Sequence, residues 1–194
     1  NWVKQIPRDT DIVHLFNNYD FSKIPCPAIL TVEGNGQYGE TFPLNTVFVS
    51  KRHAEVHGSN AFVYNGIDLA DYPFKTRKLS WDHFLFLAKA SWAVKNLKDC
   101  VKVCKKNKKT LHVAGGKHWL PSRYIKNYGM IGQEKKLELL RLCDALLFPV
   151  RWEEPFGIAV IEAMALGLPV IGSPYGSLPE LIDPRAGFIA KNYD

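Results

Sequence analysis

The sequence lacks any long apolar run. No stretch of about 18 consecutive apolar residues occurs in its 194 residues. The first residues also lack the basic, apolar and small-residue succession of a secretory signal peptide. We therefore expect neither a membrane-spanning helix nor a secretory leader.

Metal-ligating residues are few and scattered. Of the four cysteines, only Cys100 and Cys104 lie close together, four residues apart on a predicted helix, and no second pair of ligands follows. We interpret them as small apolar core residues. His53 and His57 have the same spacing without a third ligand, and we expect them on the surface of a short helix. Without a disulfide framework, a cytoplasmic protein is expected, and the inner face of a membrane stays open as its location.

A pattern typical of nucleic-acid binding is also missing. The formal net charge is +6, but the densest basic run, residues 105–109, ends a predicted helix and contains no aromatic side chain. Cations at that end of a helix favour its dipole. We predict a solvated helix end and no nucleic-acid partner, while peripheral attraction to anionic lipid or to nucleotide phosphate remains an alternative.

What the sequence does contain is an alternation of short apolar runs with amphipathic stretches from residue 84 onward. This pattern is typical of βαβ units around a parallel sheet, so the predicted fold class is α/β and Rossmann-like, with helices on both faces. The predicted strands are residues 84–88, 110–114, 128–131, 145–150, 168–171 and 187–190. The predicted helices are residues 97–106, capped by Asn96, then 133–143 and 158–166.

The earlier part of the chain is predicted to be a smaller α/β piece. Its candidate strands, residues 11–16, 28–32, 46–49 and 61–64, are too few for a complete doubly wound domain. The polar stretch 68–82 is typical of a linker. We therefore predict an incomplete N-terminal Rossmann-like domain over residues 1–64 and a second domain over residues 65–194.

The residues best suited to ligand binding or catalysis lie around the predicted helix 158–166. Residues 151–157 connect a buried strand to that helix, and open α/β sheets bind ligands at the carboxyl ends of their strands. The unpaired N–H groups of a helix start suit a phosphate or a sugar oxygen. Glu162 is the only charged residue within 158–168, and a carboxylate in apolar surroundings needs a partner. That partner could be a lysine or backbone group at the solvent edge, or a ligand hydroxyl.

The run from Glu154 to Ile171 resembles the E-x7-E signature of the family 4 (group 1) retaining glycosyltransferases of GT-B fold. Three further stretches resemble the same family in the same order: Tyr64 to Asp68, Leu87 to Leu97, and Leu111 to Gly116. The resemblance implies that residues 1–64 belong to the acceptor-side domain. It also implies that residues 65–194 bind the nucleotide-sugar donor and lack the closing C-terminal helix of the family, as a truncated chain would.

The resemblance also implies roles for individual residues. Glu154 would contact the hydroxyls of the transferred sugar, and Glu162 would contact the nucleotide ribose. Lys95 matches the family lysine that stabilises the leaving diphosphate, while Lys89 stands where the family has an arginine and keeps only the charge. The remaining implied donor contacts are the backbone N–H groups of Phe156, Gly157 and Ile158, and Gly116 at the end of a strand.

Two further positions bear on this resemblance. Glu33 stands where the family has a histidine in its first domain. Trp152 is a further candidate, since it could stack on a base or a sugar, although large aromatic residues commonly close a core.

The predicted activity is transfer of a sugar from a UDP- or GDP-linked donor to an acceptor hydroxyl with retention of anomeric configuration. The acceptor would be a carbohydrate, a lipid-linked molecule or a small molecule. No cofactor and no metal are expected, because no Asp-x-Asp cation site follows a strand. The alternatives are a nucleotide-sugar epimerase or phosphorylase on the same fold, and a nucleotide-sugar-binding fragment without catalysis.

Overall fold

The computed structural model of the chain describes residues 2–37, 39–74, 76, 78–119 and 122–191. The chain divides into two compact units, Asn1–Asn65 and Gly66–Asp194. This division falls one residue after the boundary expected from the sequence. In the described part of the chain, no helix is both long enough and apolar enough to cross a membrane.

The first unit is built on a three-stranded parallel sheet in the order β1-β2-β3. The strands are β1 (Val13–Leu15), β2 (Ala28–Val32) and β3 (Thr46–Phe48), and the helix α1 (Lys51–Val56) follows them. The predicted strand 61–64 is wrong, because only Phe62 pairs there, in an isolated bridge to Phe48.

The prediction that His53 lies on the surface is also wrong. Its side chain is 2% exposed, its ring packs edge-on against Phe48, and its Nε2 lies 3.0 Å from the carbonyl oxygen of Gly34. Burial lowers the pKa of His53 to about 4, so its ring is a neutral part of the core.

The second unit contains a six-stranded, all-parallel sheet in the order β6-β5-β4-β7-β8-β9. Its strands are β4 (His83–Leu87), β5 (Thr110–Ala114), β6 (Ile125–Gly129), β7 (Ala145–Phe148), β8 (Val170–Gly172) and β9 (Gly187–Ile189). Its helices are α2 (Leu97–Lys106), α3 (Gln133–Leu142), α4 (Ile158–Ala165) and α5 (Leu178–Leu181).

Helices cover both faces of this sheet, as the continuous apolar strands predict. One core joins the sheet to α3, α4 and α5, and a second core joins it to α2. Cys100 and Cys104 lie in the second core and are each 1% exposed, which confirms their prediction as core residues. Burial raises the pKa of the Cys104 thiol to about 12, so it remains a protonated, apolar side chain.

Three local predictions for this unit are corrected by the structure. The strand predicted at 128–131 is β6 at the sheet edge, where Lys126 and Asn127 are exposed and break the apolar pattern. Asn96 occupies the N-cap position of α2 with a left-handed backbone, but its side chain makes no capping hydrogen bond. Residues 68–82, predicted to be a linker, belong to this unit, and Tyr72 is buried in its core. Lys75 and Arg77 lie outside the described residues.

The strand order places the crevice of the sheet between β4 and β7. From β4 the chain moves to β5 and β6 on one side, and then returns to β7 on the other side of β4. Ligands of open α/β sheets bind at such a reversal, at the carboxyl ends of the strands. The loops after β4 and β7 flank this position.

A buried histidine makes the stability of the second unit sensitive to acid. His112 is 1% exposed, and its ring nitrogens lie 3.0 Å from His83 Nδ1 and 2.9 Å from the Tyr128 hydroxyl. Burial, assisted by the charges of His83, Lys126 and Lys135, lowers its pKa from 6.5 to about 4.

Between those two pKa values the unfolded chain binds more protons than the folded one. The stability contributed by the neutral His112 ring is therefore fully present above its unfolded pKa of 6.5, and it is lost as the pH falls. From pH 7 to pH 5 we expect His112 to account for a loss of about 2 kcal/mol in unfolding free energy. Urea denaturation should show a shallower pH dependence for His112→Gln than for the wild-type chain, and equal slopes would contradict this assignment.

Candidate functional site

The site is built by the two loops that flank the strand reversal, residues 88–96 after β4 and residues 149–157 after β7. Their backbones are joined by the Arg151 N–H, which donates to the Val94 carbonyl over 2.7 Å. The Asn96 side chain adds a hydrogen bond of 2.9 Å to the Pro149 carbonyl. The two loops therefore form one connected edge at the crevice.

A buried ion pair lies at the centre of this edge. The Lys95 ammonium donates to both carboxylate oxygens of Glu154, over 2.9 and 2.6 Å. The two side chains are only 11% and 8% exposed, so their charges are poorly screened by solvent. The structure thus brings together the two residues that carry the implied sugar and diphosphate roles, although they are far apart in the sequence.

Trp152 closes the ion pair from one side. Its indole N–H donates to Glu154 over 2.5 Å, and the Lys95 ammonium lies 4.6 Å from the centre of its ring. Trp92 in turn packs edge-on against Trp152. Trp152 therefore orients Glu154 and contacts Lys95, a role that stacking arguments from the sequence did not include.

The first turn of α4 follows directly after this pair. Gly157 occupies the N-cap position with φ of 98°, a conformation that favours glycine, and none of the described side chains caps the helix there. Phe156 is buried, whereas Ile158 is 47% exposed. The first N–H groups of a helix have no intrahelical acceptor, so this turn offers donors and partial positive charge to an anion.

Glu162 lies one turn further along α4 and is 5% exposed. Its Oε1 accepts hydrogen bonds from the Tyr72 hydroxyl over 2.6 Å and from the Lys136 ammonium over 2.5 Å. Gln133 donates to the same Tyr72 oxygen over 3.2 Å. Burial is the largest single influence on Lys136 and disfavours the charged ammonium, but the hydrogen bond and the charge of Glu162, together with Tyr72, outweigh it and raise the pKa of Lys136.

The partner expected for Glu162 is therefore a lysine, together with a tyrosine that the sequence did not point to. Tyr72 lies in the polar segment taken for a linker, 90 residues before Glu162, and no local pattern connects the two. Both of these hydrogen bonds are made to Oε1, and neither is made to Oε2. This second oxygen is the one that a ligand hydroxyl would use.

Lys89 and Gly116 lie together in the wall of a cavity of about 970 Å³ next to the start of α2. The lining also includes Lys98, Lys117 and Asp99 among mainly apolar groups, so the lysines are prominent among its charged groups. Lys89 is exposed, with its ammonium 4.6 Å from the centre of the Trp92 ring. The wall suits an anionic ligand larger than a single phosphate.

Gly116 has a steric role in this wall. It has φ of 145°, and a Cβ at this position would lie 2.5 Å from the Cβ of Ala90. A side chain would therefore push the loop after β5 away from the loop after β4.

Within the described ranges, no three His, Cys, Asp or Glu side chains are grouped closely enough to hold a metal ion. The described residues can bind an anion through lysines and helix N–H groups, and can accept hydroxyl hydrogen bonds at Glu154 and Glu162.

Comparison with known families gives a match to glycosyl transferases group 1 over residues 72–194, well over half of the chain. Curated relatives match over shorter segments. The D-inositol 3-phosphate glycosyltransferase of Streptomyces scabiei is 37% identical over 65 residues, which cover 33% of this chain and 14% of that protein. The N-acetyl-alpha-D-glucosaminyl L-malate synthase of Bacillus anthracis is 42% identical over 50 residues, or 26% of this chain and 13% of that protein.

Solved structures resemble most or all of the chain. A glycosyltransferase involved in avilamycin A biosynthesis superposes with a TM-score of 0.79 at 22% identity, covering 100% of this chain and 64% of that one. An Anabaena protein in complex with UDP-glucose superposes with a TM-score of 0.72 at 16% identity, covering 88% and 60% of the two chains. The chain has the α/β architecture of these GT-B structures, and it spans less than two thirds of the length of these relatives.

Proposed function

Since this chain belongs to the group 1 glycosyl transferases, we propose that residues 66–194 bind a nucleotide diphosphate sugar and that the protein transfers the sugar, with retention, to an acceptor hydroxyl. The observation that carries this proposal is the buried pair of Lys95 and Glu154 beside the first turn of α4. It joins a cation, a hydroxyl acceptor and helix N–H donors at the ligand-binding edge of the sheet.

Each part of this edge suits one part of such a donor. Glu154 would accept hydrogen bonds from the hydroxyls of the sugar, and the start of α4 would hold the diphosphate. Glu162 Oε2 would accept a hydrogen bond from a ribose hydroxyl. Lys95 and Lys89 would neutralise the charge that develops as the diphosphate departs, which lowers the barrier for the leaving group.

We further propose that transfer requires neither a metal ion nor a cofactor. Lys95, Lys89 and the N-terminus of α4 would supply the positive charge that a divalent cation would otherwise provide at a diphosphate. A UDP-linked donor and a small hydroxylated acceptor are supported by relatives: an Anabaena protein is in complex with UDP-glucose, and the names of the curated relatives include D-inositol 3-phosphate and L-malate. A GDP-linked donor is the alternative.

The experiment that tests the activity is a product analysis with a UDP-sugar or GDP-sugar, small polyol acceptors and a metal chelator. We expect the release of nucleoside diphosphate to depend on the acceptor and to yield a product of the same anomeric configuration as the donor. A rearranged nucleotide sugar without release would instead identify an epimerase, and an inverted product would contradict retention.

A thermal-shift screen identifies the base. UDP, GDP and ADP should each be compared with the corresponding nucleoside at equal concentration. We expect one diphosphate to raise the melting temperature by several degrees, because binding to the folded state alone stabilises it, and its nucleoside to raise it much less. Equal shifts for diphosphate and nucleoside would contradict the assignment of the diphosphate to the first turn of α4.

A further inference from the structure

The turn before α5 packs directly on the loop that carries Glu154. Gly176 has φ of 62°, and a Cβ at this position would lie 2.1 Å from the Glu154 nitrogen and 2.3 Å from its carbonyl oxygen. Real Cβ contacts are never that short, so only glycine permits this approach without movement of the loop. Because the atoms approached are backbone atoms, a side chain at residue 176 would displace the loop itself.

Ser177 attaches the same loop by two hydrogen bonds. Its N–H donates to the Glu154 carbonyl over 2.9 Å, and its hydroxyl donates to the Phe156 carbonyl over 2.5 Å. Ser177 is fully buried, so neither bond competes with solvent. Two successive residues of one turn thus hold the loop at Glu154 and at Phe156.

The hydroxyl bond has a directional consequence for the start of α4. The Phe156 carbonyl and the Gly157 N–H belong to one planar trans peptide, in which the two groups point in opposite directions. When Ser177 holds the carbonyl, the Gly157 N–H is turned away from α5. The bond therefore fixes the direction of the first N–H donor at the N-cap of α4.

We propose that Gly176 and Ser177 are positioning residues for donor binding: they aim the Gly157 N–H at the diphosphate and hold the Glu154 backbone against the ion pair. Both residues act through the backbone of the loop, and no contact with the donor is assigned to either. The proposal rests on the function proposed above. It predicts that the diphosphate contributes less to nucleotide affinity when the Ser177 hydroxyl, which acts only through the Phe156 carbonyl, is removed.

Ser177→Ala tests this proposal, with Ser173→Ala as its matched control. Ser173 is also fully buried in the segment after β8, but among the described residues its hydroxyl has no hydrogen-bond partner. In calorimetric titrations we expect Ser177→Ala to weaken nucleoside diphosphate binding about fivefold and to leave nucleoside binding unchanged. Ser173→Ala should change neither affinity, and equal diphosphate affinities for wild type and Ser177→Ala would overturn the proposal.

Gly176→Ala tests the close approach separately. Gly58 has φ of 69° with open space at its Cβ position, so Gly58→Ala carries the same backbone strain without a contact to the loop. We expect Gly176→Ala to weaken diphosphate binding tenfold or more and Gly58→Ala to leave it unchanged. An equal effect of both substitutions would overturn the role of the contact.

Hydrogen exchange separates failure of this proposal from failure of the proposed function. In the free protein, amide exchange over residues 154–158 should be faster in Ser177→Ala than in wild type or Ser173→Ala. If the wild type binds none of the nucleoside diphosphates, the proposed function fails, while faster exchange would still support the loop restraint. Unchanged exchange in Ser177→Ala would overturn the restraint whatever binds.

Discussion

Lys95→Met is expected to lower the free energy of unfolding by about 3 kcal/mol, because it leaves the Glu154 carboxylate buried without its cation. Methionine keeps much of the apolar stem, so the loss measures the missing charge rather than missing packing. Trp152 would still donate to Glu154, but a single neutral donor does not replace the ammonium. The same substitution should weaken nucleoside diphosphate binding tenfold or more.

The double variant Lys95→Met/Glu154→Gln distinguishes stability from binding. It removes both charges, so most of the lost stability should return, whereas the weak diphosphate binding should not recover. Lys106→Met is the matched control, since Lys106 is an exposed lysine at the opposite end of α2. Urea denaturation measures the free energy of unfolding, and calorimetry measures the diphosphate affinity. If Lys95→Met were as stable as the wild type, the stabilising role of the buried ion pair would be contradicted.

Glu162→Gln is expected to remove the preference of the protein for a ribose over a dideoxyribose. The wild type should bind the ribonucleoside diphosphate at least tenfold more tightly than its 2′,3′-dideoxy form, because a hydroxyl bonded to a charged carboxylate contributes about 1.5 to 3 kcal/mol. The amide of glutamine carries no charge, so we expect the two affinities to converge. Competition calorimetry with both nucleotides measures the ratio.

Two controls accompany this measurement. Glu138→Gln applies the same substitution to a carboxylate that is exposed and paired with Lys135, and it should leave the ratio unchanged. Tyr72→Phe removes one donor from Glu162 Oε1 while Oε2 and the charge remain, so most of the preference should persist. If Glu162→Gln kept the full preference for the ribonucleotide over its dideoxy form, the ribose role of Glu162 would be contradicted.

The fold is predictable from the sequence where the local spacing of apolar residues matches the residues that are buried. Strands β2 and β5 and helix α2 have the predicted bounds, because their apolar residues alternate with polar ones at the period of the element or run continuously through the core. The pattern was misleading at the sheet edge, where β6 includes the exposed Lys126 and Asn127. It was also misleading at His53, whose polar ring is buried by its contacts with Phe48 and Gly34.

The contacts of the candidate site depend on strand order, which the local pattern does not contain. The sequence indicates that 151–157 is a ligand-binding loop, but only the adjacency of β4 and β7 brings Lys95 to Glu154. Tyr72 was missed because a polar neighbourhood concealed its burial against Glu162. Ser177 was missed because its acceptor is a backbone carbonyl 21 residues away.

The proposed function requires that the edge formed by Lys95, Glu154 and the start of α4 binds a nucleoside diphosphate without a metal ion. Calorimetric titration of the chain with UDP, GDP and ADP in the presence of a metal chelator tests it most directly. We predict saturable binding of one of them at a single site, at least tenfold tighter than its nucleoside and weakened in Lys95→Met. Absence of binding by all three, or binding that appears only when a divalent cation is added, would contradict the claim.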